Sequence, residues 1–279
     1  MLNANSCPAA QVENLRHISG VNPFTARLTF HGDLTFFLRS IKETVERTLK
    51  EKTSIKDVIE SCGIPHPEVD VILINGEPVD FARTIHREMN VDVYPVEASP
   101  LLFRAQRLQQ RGVTRFVADG HLGKLTRDLR LLGFDVLYDR DPSDRQLLEL
   151  ITLDQPSVAA ASGSTGQHAL LTRDRRLLMH STVEHGYYLR SQEPLEQTIE
   201  ILRRFDLFDL IRPFTRCLRC NALLQPIDKN AVIGRLEPLT KIYYHDFRRC
   251  TGCGQLYWPG SHFGKLQTRI QKIRSRFEQ

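Results

Sequence analysis

At 279 residues, 41% apolar and 25% charged, the chain has an ordinary globular composition and a length suited to two or three domains of roughly 100–150 residues. It contains no run of about 18 apolar residues, so we expect no membrane span. The N-terminus lacks the basic start and apolar core of a signal peptide, which predicts a cytoplasmic protein with reduced cysteines. Residues 1–23 show no periodicity and are expected to form a disordered leader.

The net charge of +5 is distributed unevenly along the chain. Residues 24–98 contain 9 basic and 13 acidic side chains, a balance of −4, and residues 99–211 contain 15 of each. Residues 212–279 contain 13 basic and 4 acidic side chains, a balance of +9. A basic C-terminal region of this kind indicates either contact with a polyanion or a solvated basic surface, and charge alone does not choose between the two.

Residues 24–98 show the order of strands and one helix that is typical of a small β-grasp domain. "TARLTFHGDLTFFL" predicts two short strands separated by a turn. "SIKDVIESCGI" predicts a helix, because Ser54 and Asp57 have capping-box spacing. "VDVILINGEPVDF" alternates around Asn75-Gly76, which predicts a hairpin, and "MNVDVYPV" predicts the last strand.

The segments "GIPHPEVDVILINGEPVDF" and "NVDVYPV" resemble ubiquitin-like sulfur-carrier domains. A sulfur carrier ends in a flexible Gly-Gly pair, whereas this chain continues into "VEASPLLFRAQRL". The resemblance therefore implies an adaptor or docking domain with a protein partner, without sulfur-carrier chemistry. Residues 99–113 are predicted to be a linker to the next domain.

Residues 114–211 alternate between strands and helices, which predicts an α/β domain with a parallel sheet. "TRFVAD", "FDVLYD", "HALLTRD" and "VEHGYYLRS" are the predicted strands. Leucines at helical spacing follow the first strand and predict a helix with Lys124, Arg127 and Arg130 facing outward. Ser143 and Gln146 have capping-box spacing and predict the next helix, "EPLEQTIEILRRFDLF" predicts another, and residues 154–167 predict a loop.

Acidic residues follow three of these strands. Asp119 ends the first strand and Asp174 ends the third, while the second is followed by the cluster Asp139, Asp141 and Asp144. Ligand sites in open parallel sheets form at the carboxyl ends of the strands. Carboxylates gathered there repel one another unless a cation lies between them, and Mg²⁺ prefers such oxygen ligands. The alternative is that these aspartates only cap helices, but three at one edge favour a metal site.

The segments "FVADGHLGKLTRDLRLLGFDVLYD", "SDRQLLEL" and "LLTRDRRLL" resemble the PIN-like RNase domain named for the C-terminus of the Mut-seven protein. The resemblance implies a ribonuclease that depends on Mg²⁺ or Mn²⁺ and takes RNA as its substrate. It implies the catalytic metal ligands Asp119, Asp144 and Asp174. Thr172 and Arg173 are secondary candidates, because a hydroxyl can orient ligands and a guanidinium can bind a phosphate. The sequence does not decide whether Asp139 or Asp141 replaces Asp144 as the metal ligand.

Four cysteines form two C-x-x-C pairs separated by 29 residues, Cys217 with Cys220 and Cys250 with Cys253. Two such pairs complete a closed tetrahedral site of four thiolates, which selects structural Zn²⁺. Two disulfides or an iron–sulfur cluster are the alternatives. "LLQPID" and "KIYYHDF" predict strands of a zinc ribbon, and "YWPGSH" after the second pair resembles the same RNase family.

Aromatic and basic side chains follow the second cysteine pair. Tyr257, Trp258 and Phe263 are candidates to stack on unpaired bases, or to pack against the ribbon instead. The basic residues expected to contact nucleic acid are Lys265, Arg269, Lys272, Arg274 and Arg276. The sequence therefore predicts three modules and a metal-dependent ribonuclease, the alternative being a non-catalytic RNA-binding or adaptor protein with the same fold.

Overall fold

The computed structural model of the protein describes residues 23–38, 42–153 and 168–276. Residues 1–22 of the predicted leader and the predicted loop 154–167 lie outside the described residues. Within these ranges, none of the helices has the length and apolar character needed to cross a bilayer.

The N-terminal domain is a five-stranded mixed sheet packed on one helix. Its elements are β1 (Phe24–Phe30), β2 (Thr44–Leu49), β3 (Thr53–Ser54), α1 (Ile55–Ser61), β4 (Val71–Ile74), β5 (Glu77–Val79), β6 (Thr84–Ile85) and β7 (Met89–Tyr94). The sheet order is β2-β1-β7-β4-β5, with β1 and β7 parallel and the other neighbours antiparallel. Helix α1 turns Ile55, Val58 and Ile59 into the core between the helix and the sheet.

Local signals account for most of this domain. The Ser54 hydroxyl accepts a hydrogen bond from the backbone N–H of Asp57 at 3.1 Å, so the predicted cap of α1 is confirmed. Asn75 and Gly76 have φ values of 51° and 89°, which the predicted two-residue hairpin requires. The second predicted strand is wrong, because "GDLTFF" forms the 3₁₀ helix Gly32–Phe37.

The central domain contains a parallel sheet, as predicted. Its elements are β8 (Arg115–Ala118), α2 (Gly123–Leu131), β9 (Asp135–Tyr138), α3 (Asp144–Ile151), β10 (Ala169–Thr172), α4 (Arg175–Leu178), β11 (Gly186–Tyr188) and α5 (Pro194–Arg204). The strand order is β11-β10-β8-β9, and every neighbouring pair is parallel. The chain therefore reverses its direction across the sheet between β8 and β10, where ligand sites of open α/β sheets lie.

Helix α2 ends at a glycine, and one of the three basic residues predicted to lie on its outer face is buried. Gly133 has a φ of 101°, and the N–H of Phe134 donates to the carbonyl of Leu129 at 3.0 Å, which closes the helix in a glycine C-cap. The prediction that Arg130 points outward is wrong. Its side chain is buried and donates to the carbonyls of Val136 at 2.7 Å and Arg219 at 2.9 Å, because residues of the first cysteine pair cover this end of α2.

The C-terminal module (residues 212–276) contains a small antiparallel sheet and two helices. Its elements are β12 (Leu224–Ile227), α6 (Pro238–Tyr243), β13 (Phe247–Cys250), β14 (Leu256–Tyr257) and α7 (Ser261–Ser275). The predicted strand over "KIYYHDF" is wrong except at Phe247, where β13 begins, because Pro238 stands at the first turn of a helix that continues to Tyr243. Helix α7 buries Ile270 and Ile273 in the core of the central domain, so this module is joined to that domain by apolar packing.

The predicted linker 99–113 is fastened to the N-terminal domain by one buried carboxylate. Asp70 is fully buried and accepts hydrogen bonds from the Ser99 hydroxyl at 2.7 Å and the Gln109 backbone N–H at 3.1 Å. Arg107 lies 3.4 Å from the same carboxylate. Because both ends of the segment bind Asp70, the path from the first domain to the second is fixed.

The N-terminal and central domains meet at a buried ion pair. Arg190 donates to the Glu68 carboxylate at 2.7 Å, and Glu68 also accepts the backbone N–H of Tyr188 at 2.6 Å. The Arg190 guanidinium lies 4.5 Å from the centre of the Tyr187 ring and 2.8 Å from Asp33. Burial acts to lower the pKa of Arg190, but the negative groups around it, Glu68 above all, outweigh burial and raise that pKa.

Replacing Glu68 with alanine is expected to lower the free energy of unfolding by up to about 3–5 kcal/mol, because the largely buried Arg190 loses its buried partner and keeps only the more exposed Asp33. The matched control is Glu46→Ala, which breaks the exposed pair of Glu46 with Arg27 and is expected to cost at most about 1 kcal/mol. Urea unfolding of both variants measures the difference. Equal, small losses would show that the pair does not hold the domains together.

Candidate functional site

The candidate site lies at the carboxyl ends of β8 and β10, the neighbouring strands between which the chain reverses direction. Asp119 follows β8 directly, and Thr172 is the last residue of β10. The backbone N–H of Asp119 donates to the carbonyl of Leu171 at 3.0 Å, which continues the ladder to the point where the two side chains meet. The parallel pairing thus places both side chains together at the carboxyl ends of the two central strands.

A short chain of hydrogen bonds orients the Asp119 carboxylate. The Thr172 hydroxyl donates to Asp119 Oδ2 at 2.6 Å and accepts the backbone N–H of Asp174 at 3.0 Å. The N–H of Gly120 donates to Asp119 Oδ1 at 2.6 Å. Since Thr172 is fully buried and Asp119 is partly exposed, the threonine holds the inner side of the carboxylate while its outer side faces solvent.

The other predicted catalytic aspartates, Asp174 and Asp144, each lie at the start of a helix. Asp174 caps α4 by accepting the backbone N–H groups of Arg176 at 2.7 Å and Leu177 at 3.2 Å. Asp144 is exposed in the first turn of α3, whose predicted capping box is formed by Ser143 and Gln146. Among the described residues, the only group of three or more acidic, histidine or cysteine side chains close enough for one metal ion is the cysteine cluster.

The structure therefore joins Asp119 to Thr172 and leaves Asp144 and Asp174 each at a helix start. Asp139 accepts the backbone N–H of Arg140 in the exposed loop before α3. Arg173 is half-buried beside the Thr172–Asp174 turn. The catalytic roles of these residues stay predictions.

The Gly-His-Leu-Gly turn after Asp119 is required by close packing. A side chain at Gly120 would put its Cβ 2.5 Å from the carbonyl oxygen of Arg140, and one at Gly123 would put it 2.7 Å from the Tyr138 hydroxyl. The Tyr138 hydroxyl donates to the carbonyl of Gly120 at 2.8 Å. The two glycines thus let the turn rest on the end of β9 and on the acidic loop that follows β9.

His121 is a neighbour of the candidate site for which the sequence gives no defined partner. Its Nδ1 lies 3.5 Å from Asp119 Oδ2, and about half of its side chain is exposed. A solvent-facing imidazole beside a carboxylate has the geometry of a general acid or base. The only sequence signal for this position is its place between the two glycines.

The four cysteines form a compact cluster, as their spacing predicts. Their sulfur atoms all lie within 4.8 Å of one another, with Cys217 3.7 Å from Cys253 and Cys220 3.3 Å from Cys250. Four thiols at these separations could bind zinc, because two C-x-x-C pairs supply the four ligands of a tetrahedral site. The two pairs reach the cluster from the turn before β12 and from the end of β13.

Tyr257 supports the cluster instead of facing nucleic acid. Its hydroxyl lies 3.1 Å from the Cys217 sulfur and accepts the backbone N–H of Leu218 at 3.1 Å. Burial opposes ionisation of Cys217, but hydrogen bonds from Tyr257 and from the backbone outweigh it and lower the pKa of Cys217 to about 6. Burial and the neighbouring thiols raise the pKa of Cys250 to about 12. A thiolate at Cys217 is therefore already favoured near neutral pH.

The other aromatic candidates divide between packing and exposure. Phe263 lies on Phe214, with ring centres 4.7 Å apart, which favours the packing alternative. Trp258 is 37% exposed, and its ring centre lies 6.2 Å from that of Phe247. A stacking role for the indole face is compatible with this exposure.

The basic residues of α7 fall into two groups. Arg269 forms an ion pair with Asp128 of α2, and Arg276 forms one with Glu196 of α5. Lys265, Lys272 and Arg274 are exposed. The predicted nucleic-acid residues thus include two that fasten α7 to the central domain and three that are open to a partner.

Comparison with protein families matches residues 114–270 to the Mut7-C RNAse domain and residues 24–100 to the Mut7-C ubiquitin domain. The first match covers more than half of the chain, and together the two confirm the predicted resemblances and the order of the domains. No curated protein matches the chain.

The cysteine cluster predicts one zinc ion per chain in protein purified under reducing conditions. Cys250→Ser is expected to remove the zinc and unfold the C-terminal module, because the ligands join its two halves and metal binding is coupled to folding. Cys62→Ser is the matched control, since Cys62 lies outside the cluster and should leave the zinc content unchanged. Metal analysis by mass spectrometry tests this, and zinc-free or disulfide-bonded protein would contradict it.

Proposed function

The chain belongs to the Mut7-C RNAse domain family, and from this membership we propose that it hydrolyses RNA phosphodiesters with a metal-dependent, PIN-like active site. The observation that supports the proposal most is the Asp119 carboxylate, held by buried Thr172 at the reversal of the sheet and open to solvent on its other side. An α/β sheet places ligands at this point, and a carboxylate fixed there is oriented before substrate arrives.

The donor set fits Mg²⁺ or Mn²⁺. Asp119, Asp144 and Asp174 would hold the ion, and Asp139 or Asp141 stands beside Asp144 as its alternative. All five offer carboxylate oxygens, which hard divalent cations prefer, and Mg²⁺ commonly binds to one or two carboxylates while it keeps several waters. Among the described residues, no three of these carboxylates come within reach of one ion, so one or two of the aspartates would bind it directly and waters would complete its shell. When bound, the cation would lower the pKa of a water and stabilise the leaving oxygen of the phosphodiester.

The residues around Asp119 have separate tasks in this proposal. Thr172 fixes the carboxylate by its hydroxyl hydrogen bond, Arg173 offers a guanidinium to a phosphate, and His121 can take up a proton at Nδ1. The hydroxyl group of Thr172 cannot itself be the nucleophile, because the Thr172 side chain is fully buried and a phosphodiester cannot reach it. Water is therefore the attacking group that we propose.

In this proposal, the C-terminal module and the N-terminal domain have binding roles. The cysteine cluster would hold structural zinc, the exposed basic residues of α7 would bind the RNA backbone, and the N-terminal domain would dock a protein partner. Reduced cysteines in such a cluster fit the cytoplasm, where thiols are kept reduced.

One observation favours a second candidate function. Asp174 caps a helix through its Oδ1 atom, and Asp144 lies exposed at another helix start. Helix starts stabilise acidic residues without any metal. A non-catalytic RNA-binding or adaptor protein would keep these caps and the basic C-terminal module, and it would fail to cleave RNA under any metal condition.

Asp119→Asn is expected to reduce RNA cleavage in Mg²⁺ or Mn²⁺ by roughly 100-fold or more, because metal-ion catalysis contributes several kcal/mol and each 1.4 kcal/mol is a factor of ten. Asp80→Asn, an identical change in an exposed turn of the N-terminal domain, should cleave like the wild type. Single-turnover cleavage of a labelled RNA, with urea unfolding to verify the fold, measures both. Full activity of Asp119→Asn would remove Asp119 from the site, and no cleavage by the wild type would support the non-catalytic alternative.

The exposed residues of α7 make a separate prediction. Replacing Lys265, Lys272 and Arg274 with alanine is expected to flatten the dependence of log affinity on log salt by up to about 2, since each phosphate contact to a single strand contributes roughly 0.7. The rate at saturating RNA should change little. A variant that removes Lys50, Lys52 and Lys56 has the same loss of charge and is the control. Filter binding across a salt series measures the slope, and equal slopes in both variants would contradict the prediction.

A further inference from the structure

A cleft of about 320 Å³ lies where α2, α5 and α7 meet. Its walls come from three parts of the chain that are distant in sequence: α2, the start of α5 and α7. The lining residues are Lys124, Arg127, Asp128, Glu193, Pro194, Leu195 and Arg269. Of these, only Arg269 belongs to the basic residues that the sequence marks for nucleic acid.

The charges in this cleft are not balanced. Asp128 is neutralised by Arg269, which holds its carboxylate through both the Nε and Nη2 atoms. Lys124 and Arg127 are exposed, and they have no hydrogen-bond or ion-pair partner among the described residues. Glu193 is the remaining acidic side chain of the lining. After the Asp128–Arg269 pair is set aside, the lining contains one carboxylate, Glu193, and two cations, Lys124 and Arg127, that are unpaired within the described part of the chain.

The geometry of α2 presents the two free cations together. Lys124 and Arg127 are three residues apart and therefore project from the same face of the helix. Lys124 is the second residue of α2, which begins directly after the Asp119 turn. The same helix thus connects the candidate catalytic carboxylate to the cleft, and α7 continues the basic surface on the far side.

We propose that this cleft binds the phosphodiester backbone of the RNA strand beside the bond that is cut, with Lys124 and Arg127 as its phosphate contacts. The proposal rests on the proposed function, for which it defines the path of the strand from Asp119 along α2 to α7. Arg127 suits bidentate contact with a phosphate, and the flexible Lys124 adds a second positive charge. Glu193 limits the affinity, because its carboxylate repels the strand.

The test is RNA binding by full-length protein in an Asp119→Asn background without added divalent metal, so that cleavage has no influence on the result. Lys124→Ala/Arg127→Ala is expected to weaken binding of a labelled oligouridine about tenfold in 0.1 M salt and to reduce the log–log salt slope by about 1.4. Glu193→Gln should tighten binding. Lys50→Ala/Lys52→Ala removes the same charge from the N-terminal domain and should change neither quantity.

Three outcomes would overturn the proposal. Equal losses in the two double variants would show that only net charge matters, and unchanged binding by Lys124→Ala/Arg127→Ala would show that the strand does not enter the cleft. Competition by uridine monophosphate as strong as that by the oligonucleotide would show a mononucleotide site in place of a strand path. If wild-type protein binds RNA as expected but does not cleave it, the proposed function fails while the cleft assignment holds.

Discussion

Each edge strand of the parallel sheet in the central domain donates a backbone hydrogen bond to a side chain of another module. At one edge, the backbone N–H of Tyr188 in β11 donates to Glu68 of the N-terminal domain at 2.6 Å. At the other, the N–H of Val136 in β9 donates to the Asn221 side chain of the C-terminal module at 3.1 Å. An open sheet edge presents unpaired N–H groups and is prone to unwanted pairing. These two contacts remove that hazard and fix the position of each neighbouring module.

Each edge contact belongs to a larger polar network. Around Glu68, Arg190 adds its buried ion pair, and fully buried Arg204 donates to the carbonyl of Pro67 at 2.9 Å. Around Asn221, the Asp135 carboxylate accepts from the Asn221 amide at 2.6 Å and from Arg216 at 3.1 Å. Buried charges are costly unless they are paired, so these networks specify one arrangement of the modules. The N-terminal domain is therefore fixed to the central domain by buried polar contacts, unlike a carrier domain on a mobile linker.

The sequence predicts best what depends on neighbouring residues. The Ser54 cap, the Asn75-Gly76 hairpin and the cysteine cluster follow from spacing within a few residues or from a motif with one geometric solution. The errors arise where distant packing decides. "GDLTFF" forms a 3₁₀ helix that buries Leu34 and Phe37, and Arg130 is buried because the first cysteine pair lies over α2.

In the candidate site, too, the sequence predicts the features that depend on neighbouring residues and misses those that depend on distant packing. The placement of Asp119 at a strand end is visible in the sequence, and its hydrogen bond with Thr172 depends on parallel pairing that the alternating pattern predicts. The capping role of Asp174 is equally local, and it uses only the Oδ1 atom of the carboxylate. The contribution of Tyr257 to the cysteine cluster leaves no pattern, because it depends on the fold of β14 against the first cysteine pair.

Helix α7 links the cysteine cluster to the cleft of the central domain. It starts eight residues after Cys253, the last cysteine of the cluster, and it buries Ile270 and Ile273 in the same core that supports β8 and α2. Its Arg269 neutralises Asp128, which would otherwise place an unpaired carboxylate in the cleft. A metal ion in the cluster would therefore act on RNA binding at a distance. By fixing the start of α7, it would keep Arg269 on Asp128 and leave Lys124 and Arg127 free for the strand.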